Sequence, residues 1–335
     1  MKALLLAAGF GTRLRPITNK TPKALVPVLN VPVIEYGIAF LKHHGITEIF
    51  INLHHLSEKI RDHLGDGSQF GVSITYLFEK EILGTGGSIA SMKPHVSERF
   101  LVMNADVICD FDLEAFIDRH VAAKALVTLG LVRASEGDKD AVVTLSEGRI
   151  VRLLNGSPYD PLPAANAIFT GIHLIEPALF DYLPAGIFYS ITSDVYQRLV
   201  CERTDIHGCF IEGRWYDAGT PETLVAASFD LLGNLPLSYP VPQLMKGYSL
   251  PADQLVILGK KAKVPAVPIR PPVIVGNQVK VIGVKTLGPW LVLGDGVSLS
   301  GGFALEREVY LPGANGKRRI ETTAGVLYYL SLIHI

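Results

Sequence analysis

The chain has 335 residues, 48% of them hydrophobic and 19% charged, which is enough to bury the cores of two domains. Lysine and arginine total 31 against 32 aspartates and glutamates, a formal charge of −1, so the basic surplus of a nucleic-acid or membrane-surface binder is excluded. No apolar run reaches membrane-spanning length, and Cys109, Cys201 and Cys209 are odd in number and lack metal-ligand spacing, as expected of buried thiols in a reducing cytoplasm.

Ala3 to Ala7 is a continuous apolar run, long enough for one buried parallel strand and too short for a helix. Glycine then turns the chain: Gly9 and Gly11 are able to take positive φ and let backbone N–H groups approach an anion, while Arg13 offers a planar fork for phosphate oxygens. Lys23 follows in Thr21-Pro22-Lys23-Ala24-Leu25, where Pro22 restricts the backbone and aims the lysine back over the glycine loop. A G-x-G alone fits an ordinary strand-to-helix turn equally well; the accompanying cations favour a polyphosphate grip. A dinucleotide fingerprint is disfavoured by Leu14 at the third glycine position and by Asn52 where an acid is wanted, and no Walker A spacing occurs. Lys2 ahead of Ala3–Ala8 mimics a secretory leader, but the apolar stretch ends at once in Gly9–Arg13 with no cleavage site, so Met1 is read as the mature start.

Pro32 to His44 has helical spacing and stops at Gly45; Glu48 to Leu53 reads as a strand and Ser57 to Leu64 as a short helix capped by Ser57. Val72 to Phe78, Phe100 to Asn104 and Leu126 to Val132 read as further strands, with a helix over Leu113 to Ala123. The alternation predicts an α/β fold, a Rossmann-like, mostly parallel sheet covered on both faces, with ligands at the carboxyl ends of its strands. Leu83-Gly84-Thr85-Gly86-Gly87 reads as a loop open to close backbone approach, before a helical Ser88 to Met92. Asp106 emerges from the strand ending at Asn104, and Asp217 stands just before a helix started by Thr220, Pro221 and Glu222. Either carboxylate suits a cap or turn; as a pair near a phosphate site, Asp106 and Asp217 suit Mg²⁺, which completes its shell with water and substrate phosphates.

The expected boundaries are a first domain over 1–233, a proline-bearing linker over 234–254, a repeat region over 255–316 and an irregular, non-native-looking tail over 317–335. Taken in sixes from Val273, the chain reads VIVGNQ, VKVIGV, KTLGPW, LVLGDG, VSLSGG, FALERE and VYLPGA. The third position is Val275, Val281, Leu287, Leu293, Leu299, Leu305 and Leu311, aliphatic throughout. This period resembles that of the left-handed parallel β-helix built from hexapeptides, and so short a coil invites packing against another surface or a second copy in a homo-oligomer. The end from Gly325 to Ile335 is apolar and off register, so deleting Leu327 to Ile335 is expected to leave the activity of the first domain intact.

Six segments in order, Leu6–Leu14, Thr21–Leu25, Leu83–Gly86, Asn104–Asp106, Phe169–Gly171 and Trp215–Pro221, resemble the landmarks of the sugar-1-phosphate nucleotidyltransferases, most of all bacterial mannose-1-phosphate guanylyltransferase-like members. The resemblance implies attack of a sugar phosphate oxygen on the α-phosphorus of a nucleoside triphosphate, with pyrophosphate leaving and Mg²⁺ as cofactor. It assigns Arg13 to the β- and γ-phosphates, Lys23 to the α-phosphate and the incoming sugar phosphate, and Asp106 with Asp217 to the metal. It also assigns substrate contacts to Leu6, Ala8, Gly9, Gly11, Thr12, Gly84, Thr85, Gly86, Asn155, Thr170 and Gly171. Many relatives carry Glu-Lys-Pro where this chain has Asn155-Gly156-Ser157, leaving Arg152 or another basic residue to meet the sugar phosphate. The favoured pair is GTP with mannose 1-phosphate. Alternatives are UTP or dTTP with glucose, amino-sugar or heptose 1-phosphates, or a catalytically silent sugar-nucleotide-binding subunit. No histidine lies between His207 and His334, which argues against an acyltransferase in the coil.

Overall fold

The computed structural model describes residues 1–135, 142–154, 166–184, 186–241, 254–301, 304–314 and 319–329. It divides into two compact units that do not follow chain order: Met1–Gly9 with Gly37–Trp215, and Phe10–Tyr36 with Tyr216–Ile335. In chain order the first strands are β1 (Lys2–Leu6), β2 (Pro27–Val28), β3 (Val31–Pro32), β4 (Glu48–Leu53), β5 (Ser73–Phe78), β6 (Phe100–Asn104), β7 (Val107–Phe111), β8 (Val127–Arg133), β9 (Val143–Ser146), β10 (Arg149–Leu153), β11 (Ala167–Ile175), β12 (Ile206–Phe210) and β13 (Gly213–Asp217). The helices are α1 (Val33–His43), α2 (Ser57–Leu64), α3 (Gly84–Ala90), α4 (Leu113–Ala123), α5 (Gln197–Cys201) and α6 (Pro221–Gly233).

The first unit is built on a nine-stranded sheet in the order β5-β4-β1-β6-β11-β8-β12-β10-β9. The apolar run at the amino terminus becomes its middle: Ala3, Leu4 and Leu5 are fully buried because β1 has a strand on either side and cover on both faces. The expectation of a mostly parallel sheet needs correction. β5, β4, β1 and β6 are parallel and so are β8 and β12, but β11 runs against both β6 and β8, and β10 runs against β12 and β9. The cause is local. Helical crossovers separate the early strands, whereas β9 and β10 are joined by Glu147 and Gly148, both at positive φ (50° and 81°), a two-residue turn that folds the chain straight back.

Two predicted ends also change. Ser57 is the first residue of α2, preceded by Leu56 at φ 51° with no side-chain cap, and α3 starts at Gly84, so the glycine segment is a helical first turn rather than a loop. Within the core, His173 meets the Tyr196 hydroxyl at 2.9 Å, and full burial pushes the imidazole down to about 3. Cys109 and Cys209 are buried as expected, but Cys201 is exposed; all three are free thiols.

In the second unit, Phe10–Tyr36 forms three short turns (Thr12–Leu14, Ile17–Asn19, Lys23–Leu25) and the β2–β3 hairpin, held by the Tyr36 hydroxyl donating to the Val28 carbonyl at 2.8 Å. α6 begins with a reciprocal Thr220–Thr223 capping box and Pro221 in the first turn. Beyond it come short strands: β14 (Val256–Leu258), β15 (Val273–Val275), β16 (Lys280–Ile282), β17 (Thr286–Leu287), β18 (Leu291–Leu293), β19 (Ser298–Ser300), β20 (Ala304–Leu305), β21 (Glu308–Tyr310), β22 (Arg319–Glu321) and β23 (Val326–Tyr328).

β14, β15, β18, β21 and β23 stack in parallel, with β16–β19 and β17–β20 as two further parallel pairs. The seven aliphatic residues at the third hexad position are all buried, from 0% exposure at Leu287, Leu293 and Leu305 to 6% at Leu311. Of the tail expected to be irregular from 317 onward, the described part, 319–329, instead forms strands: β23 is the next parallel rung on β21 and β22 pairs antiparallel beside it, while 317–318 and 330–335 lie outside the described residues. Its Tyr328 ring stacks on Tyr310 with centroids 4.1 Å apart, and both hydroxyls donate to Glu308, at 3.1 and 3.0 Å. The stacked strands also pack on their own unit. Trp290 lies 6.3 Å from the Phe229 ring of α6, and Asn30 Nδ2 donates to the Leu293 carbonyl at 3.1 Å. Among the described residues no helix is long and apolar enough to cross a membrane.

Candidate active site

The phosphate-gripping residues predicted around Arg13 converge in the second unit. Gly11 holds φ 61°, and a Cβ there would fall 2.9 Å from Thr18 Cγ2 and 3.0 Å from Lys23 Cβ, so only glycine lets the turn close over the lysine. Thr18 locks the turn by donating its hydroxyl to the Gly11 carbonyl at 2.7 Å. Gly9, by contrast, is not at positive φ and has open space where a Cβ would stand.

Asp217 ends β13, and two residues later Gly219 marks the meeting point. A Cβ on Gly219 would lie 2.6 Å from Asp217 Oδ1, 2.9 Å from Arg13 Nη2 and 3.0 Å from Lys23 Nζ. Two cations and one carboxylate are thus gathered around a residue with no side chain, leaving net positive charge of the kind a polyphosphate needs. Gly219 was quoted in the sequence only as part of a motif; its role shows once three charged tips are seen to share the space beside it.

In the first unit the carboxyl ends of three adjacent parallel strands stand level, with Leu6 paired to Asn52 on one side and to Asn104 on the other. The turn after β6 is tied to β1 by the Ala105 N–H donating to the Leu6 carbonyl at 3.1 Å, and Asp106 follows, 8% exposed. Beneath the turn after β1 lies a buried polar network that sequence reasoning missed. Asn52 Oδ1 accepts from the Ala7 N–H at 2.7 Å, while its Nδ2 donates to Glu79 Oε1 and Ser88 Oγ, each at 2.8 Å. Glu79 Oε2 accepts from the Leu83 N–H at 2.9 Å, just before the glycine segment. The available signal was a polar residue inside Ile49-Phe50-Ile51-Asn52-Leu53, weighed only as the absence of an acid.

The glycine segment is strapped from its other side. Tyr189 N–H donates to the Leu83 carbonyl at 3.1 Å, Gly86 N–H donates to the Tyr189 carbonyl at 3.0 Å, and Thr85 Oγ1 accepts from the Ile191 N–H at 2.9 Å. Gly84 sits at φ 67°, and a Cβ on Gly86 would strike the Tyr189 ring, so both glycines are required by this strap. Burial pushes the Tyr189 hydroxyl up to about 12 while it donates to the Pro184 carbonyl at 2.9 Å.

Thr170, expected to contact the acceptor, is 1% exposed and donates its hydroxyl to the Gly130 carbonyl at 2.7 Å, which directs the group into the sheet. Gly171, at φ 77°, abuts the Asn104 side chain. Asn155 and the Gly156 position lie outside the described residues. Among those residues no group of three or more His, Cys, Asp or Glu is gathered for a metal.

A family model described as nucleotidyl transferase matches residues 2–233. The chain belongs to that family. It is 29% identical to a UTP–glucose-1-phosphate uridylyltransferase of Synechocystis sp. over 94% of this chain and 85% of that protein. It is 32% identical to a mannose-1-phosphate guanylyltransferase of Mycobacterium tuberculosis over 91% and 83%. A crystal structure of a putative glucose-1-phosphate thymidylyltransferase from Bacillus anthracis, in complex with a sucrose, superposes with a TM-score of 0.57 at 25% identity, covering 68% of this chain and 94% of that one. The family thereby accounts for the α/β sheet.

Proposed function

We propose that this nucleotidyltransferase joins a nucleoside triphosphate to a sugar 1-phosphate, giving a nucleoside-diphosphate sugar and pyrophosphate, with GTP and mannose 1-phosphate as the favoured pair. The observation that carries the reading is the gathering of Arg13, Lys23 and Asp217 around Gly219. A sugar phosphate oxygen forms a bond to the α-phosphorus as the bond from that phosphorus to the bridging oxygen breaks, and pyrophosphate leaves with the electron pair. No covalent enzyme intermediate is needed, so catalysis rests on alignment and charge neutralisation.

Arg13 holds the departing β- and γ-phosphates, and Lys23 neutralises charge where the α-phosphate meets the acceptor. Asp106 and Asp217 are the carboxylates that would hold Mg²⁺, an ion that would supply neutralisation of phosphate charge. Backbone groups at Ala8 and Gly9 and along Leu83–Gly86 face the base. Guanylyl transfer is favoured by the resemblance to mannose-1-phosphate guanylyltransferase-like proteins and by the mycobacterial relative. Uridylyl transfer to glucose 1-phosphate is the second reading, favoured by the cyanobacterial relative, which covers slightly more of the chain.

The stacked parallel strands with buried hexad aliphatics support a left-handed β-helix that serves assembly or control of a homo-oligomer rather than a second reaction. The free thiols fit a reducing cytoplasm.

One assay tests the substrate reading: pyrophosphate release from GTP, UTP, dTTP, CTP and ATP crossed with mannose, glucose, heptose and amino-sugar 1-phosphates. The expected maximum is GTP with mannose 1-phosphate. A maximum elsewhere replaces the pair, and no release with any pair favours the silent binding subunit.

A further inference from the structure

The network under the turn after β1 has a direction. Asn52 is almost fully buried at 2% exposure; its oxygen accepts from the Ala7 N–H and its nitrogen donates to Glu79 and Ser88. Glu79, 8% exposed, accepts on one oxygen from Asn52 and Ser88 (2.8 and 2.6 Å) and on the other from the Leu83 N–H (2.9 Å). Ser88 closes the circuit against the Gly84 carbonyl at 2.7 Å. Among the described residues no cation pairs with this carboxylate. A buried carboxylate held by hydrogen bonds alone is an expensive way to fill a core, and an apolar trio of similar volume would pack the same space at less cost. What an apolar trio would not do is fix, to a few tenths of an ångström, the distance between the Ala7 N–H and the Leu83 N–H. Those two amides open the two backbone segments proposed to receive the nucleotide.

We infer that Asn52 and Glu79 are positioning residues that set the spacing of the Ala7–Gly9 turn and the Leu83–Gly86 segment, and so govern nucleotide affinity and base selectivity; the inference rests on the proposed nucleotide reading. The Ser88 hydroxyl has one proton for two acceptors, Glu79 Oε1 and the Gly84 carbonyl, but the bonds joining Ala7, Asn52, Glu79 and Leu83 each have a fixed donor, so the polarity of the Asn52–Glu79 bond is reversible. In Asn52→Asp alone, two carboxylates face each other. In Glu79→Gln alone, an amide NH₂ faces either the Asn52 NH₂ or the Leu83 N–H. In the double variant Asn52→Asp with Glu79→Gln, the carboxylate now at position 52 still accepts from Ala7 and also accepts from the new amide, whose oxygen still accepts from Leu83. Net charge is unchanged and no donor is stranded.

The test measures GTP and UTP Kd by calorimetry without acceptor, KM for each substrate, and melting temperature. Each single exchange is expected to weaken GTP binding and raise its KM by roughly tenfold or more, to compress the GTP-to-UTP preference, and to leave the sugar phosphate KM within about twofold. The double exchange is expected to restore GTP Kd to within about threefold of the parent. Ser88→Ala adds no charge and keeps the test open should Asn52→Asp fail to fold; a roughly threefold weaker GTP Kd is expected from it.

The inference is overturned if the folded variants lose melting temperature while GTP Kd stays at the parent value, or if the double exchange binds no better than the worse single one. A parent chain that binds GTP or UTP yet releases no pyrophosphate refutes the transfer reading and still leaves Kd to decide the role of Asn52 and Glu79.

Discussion

Gly219→Ala separates catalysis from stability more cleanly than removing any charged group. The backbone at this residue is not at positive φ, so alanine brings no conformational strain. The new methyl meets three flexible tips rather than backbone, at 2.6 Å from Asp217 Oδ1, 2.9 Å from Arg13 Nη2 and 3.0 Å from Lys23 Nζ. Ordinary contact begins near 3.4 Å, so each tip has to retreat by about 0.4 to 0.8 Å. Stability should therefore change by no more than about 1 kcal/mol. Phosphate alignment tolerates far less, since a displacement of about 1 Å costs ~10²-fold in rate, or about 3 kcal/mol of barrier. Pyrophosphate release under saturating substrates, together with a melting curve, reads both quantities. The expected result is a hundredfold-scale loss (~10²) with a melting temperature within about 3 °C of the parent. Turnover within about twofold of the parent, in a variant that melts normally, would refute the view that these three groups act in concert around Gly219.

Asp106→Asn should retain the fold and lose at least ~10² in turnover, without rescue by excess Mg²⁺; near-normal turnover with Mg²⁺ removes Asp106 from the metal set. His173 is neutral in the fold, with burial lowering it to about 3, whereas the unfolded chain protonates it near 6.5. The unfolded state then binds the extra proton between those values, so stability falls as pH drops from 6.5 toward 3, by up to about 1.4 kcal/mol per pH unit from this group. His173→Gln should flatten the melting-temperature slope over the accessible part of that range, and an unchanged slope counts against the assignment. Truncation before Leu327 removes a fully buried leucine and the Tyr328 ring stacked on Tyr310. It should destabilise the C-terminal strands by about 3–5 kcal/mol, seen as a lower melting transition; an unaltered transition would restore the view of this end as dispensable.

The strands and helices legible in the sequence were those whose own residues decide them: the apolar run of β1, the Thr220-Pro221 start of α6 and the hexad aliphatics. What the sequence concealed depends on partners far along the chain. The reversal of β11 follows from which strands it joins, and no periodicity within Ala167–Ile175 records that choice. Leu83–Gly87 looked like a loop because glycine is a poor helix former; the Glu79 carboxylate and the Tyr189 strap are what hold it helical. Thr170 looked like a sugar contact beside a glycine, until its bond to Gly130 turned it inward. The apolar end looked foreign because it breaks the six-residue register, yet strand pairing to β21 needs only backbone and a buried face. For the site, Arg13, Lys23, Asp106 and Asp217 were visible as charges in unusual settings. Gly219 and Asn52 were not, because one acts by lacking a side chain and the other by joining backbone segments distant in sequence.

The grouping of Phe10–Tyr36 with Tyr216–Ile335 bears on how the protein is made. The segment bearing Arg13 and Lys23 is made before eight of the nine strands of the large sheet, and the remainder of its compact unit after all nine. Until the residues from Tyr216 onward have been made, that segment lacks the rest of the compact unit it packs in. A chain stalled or clipped before Tyr216 would carry a completed sheet while Arg13 and Lys23 lacked both Asp217 and the Gly219 backbone they gather around.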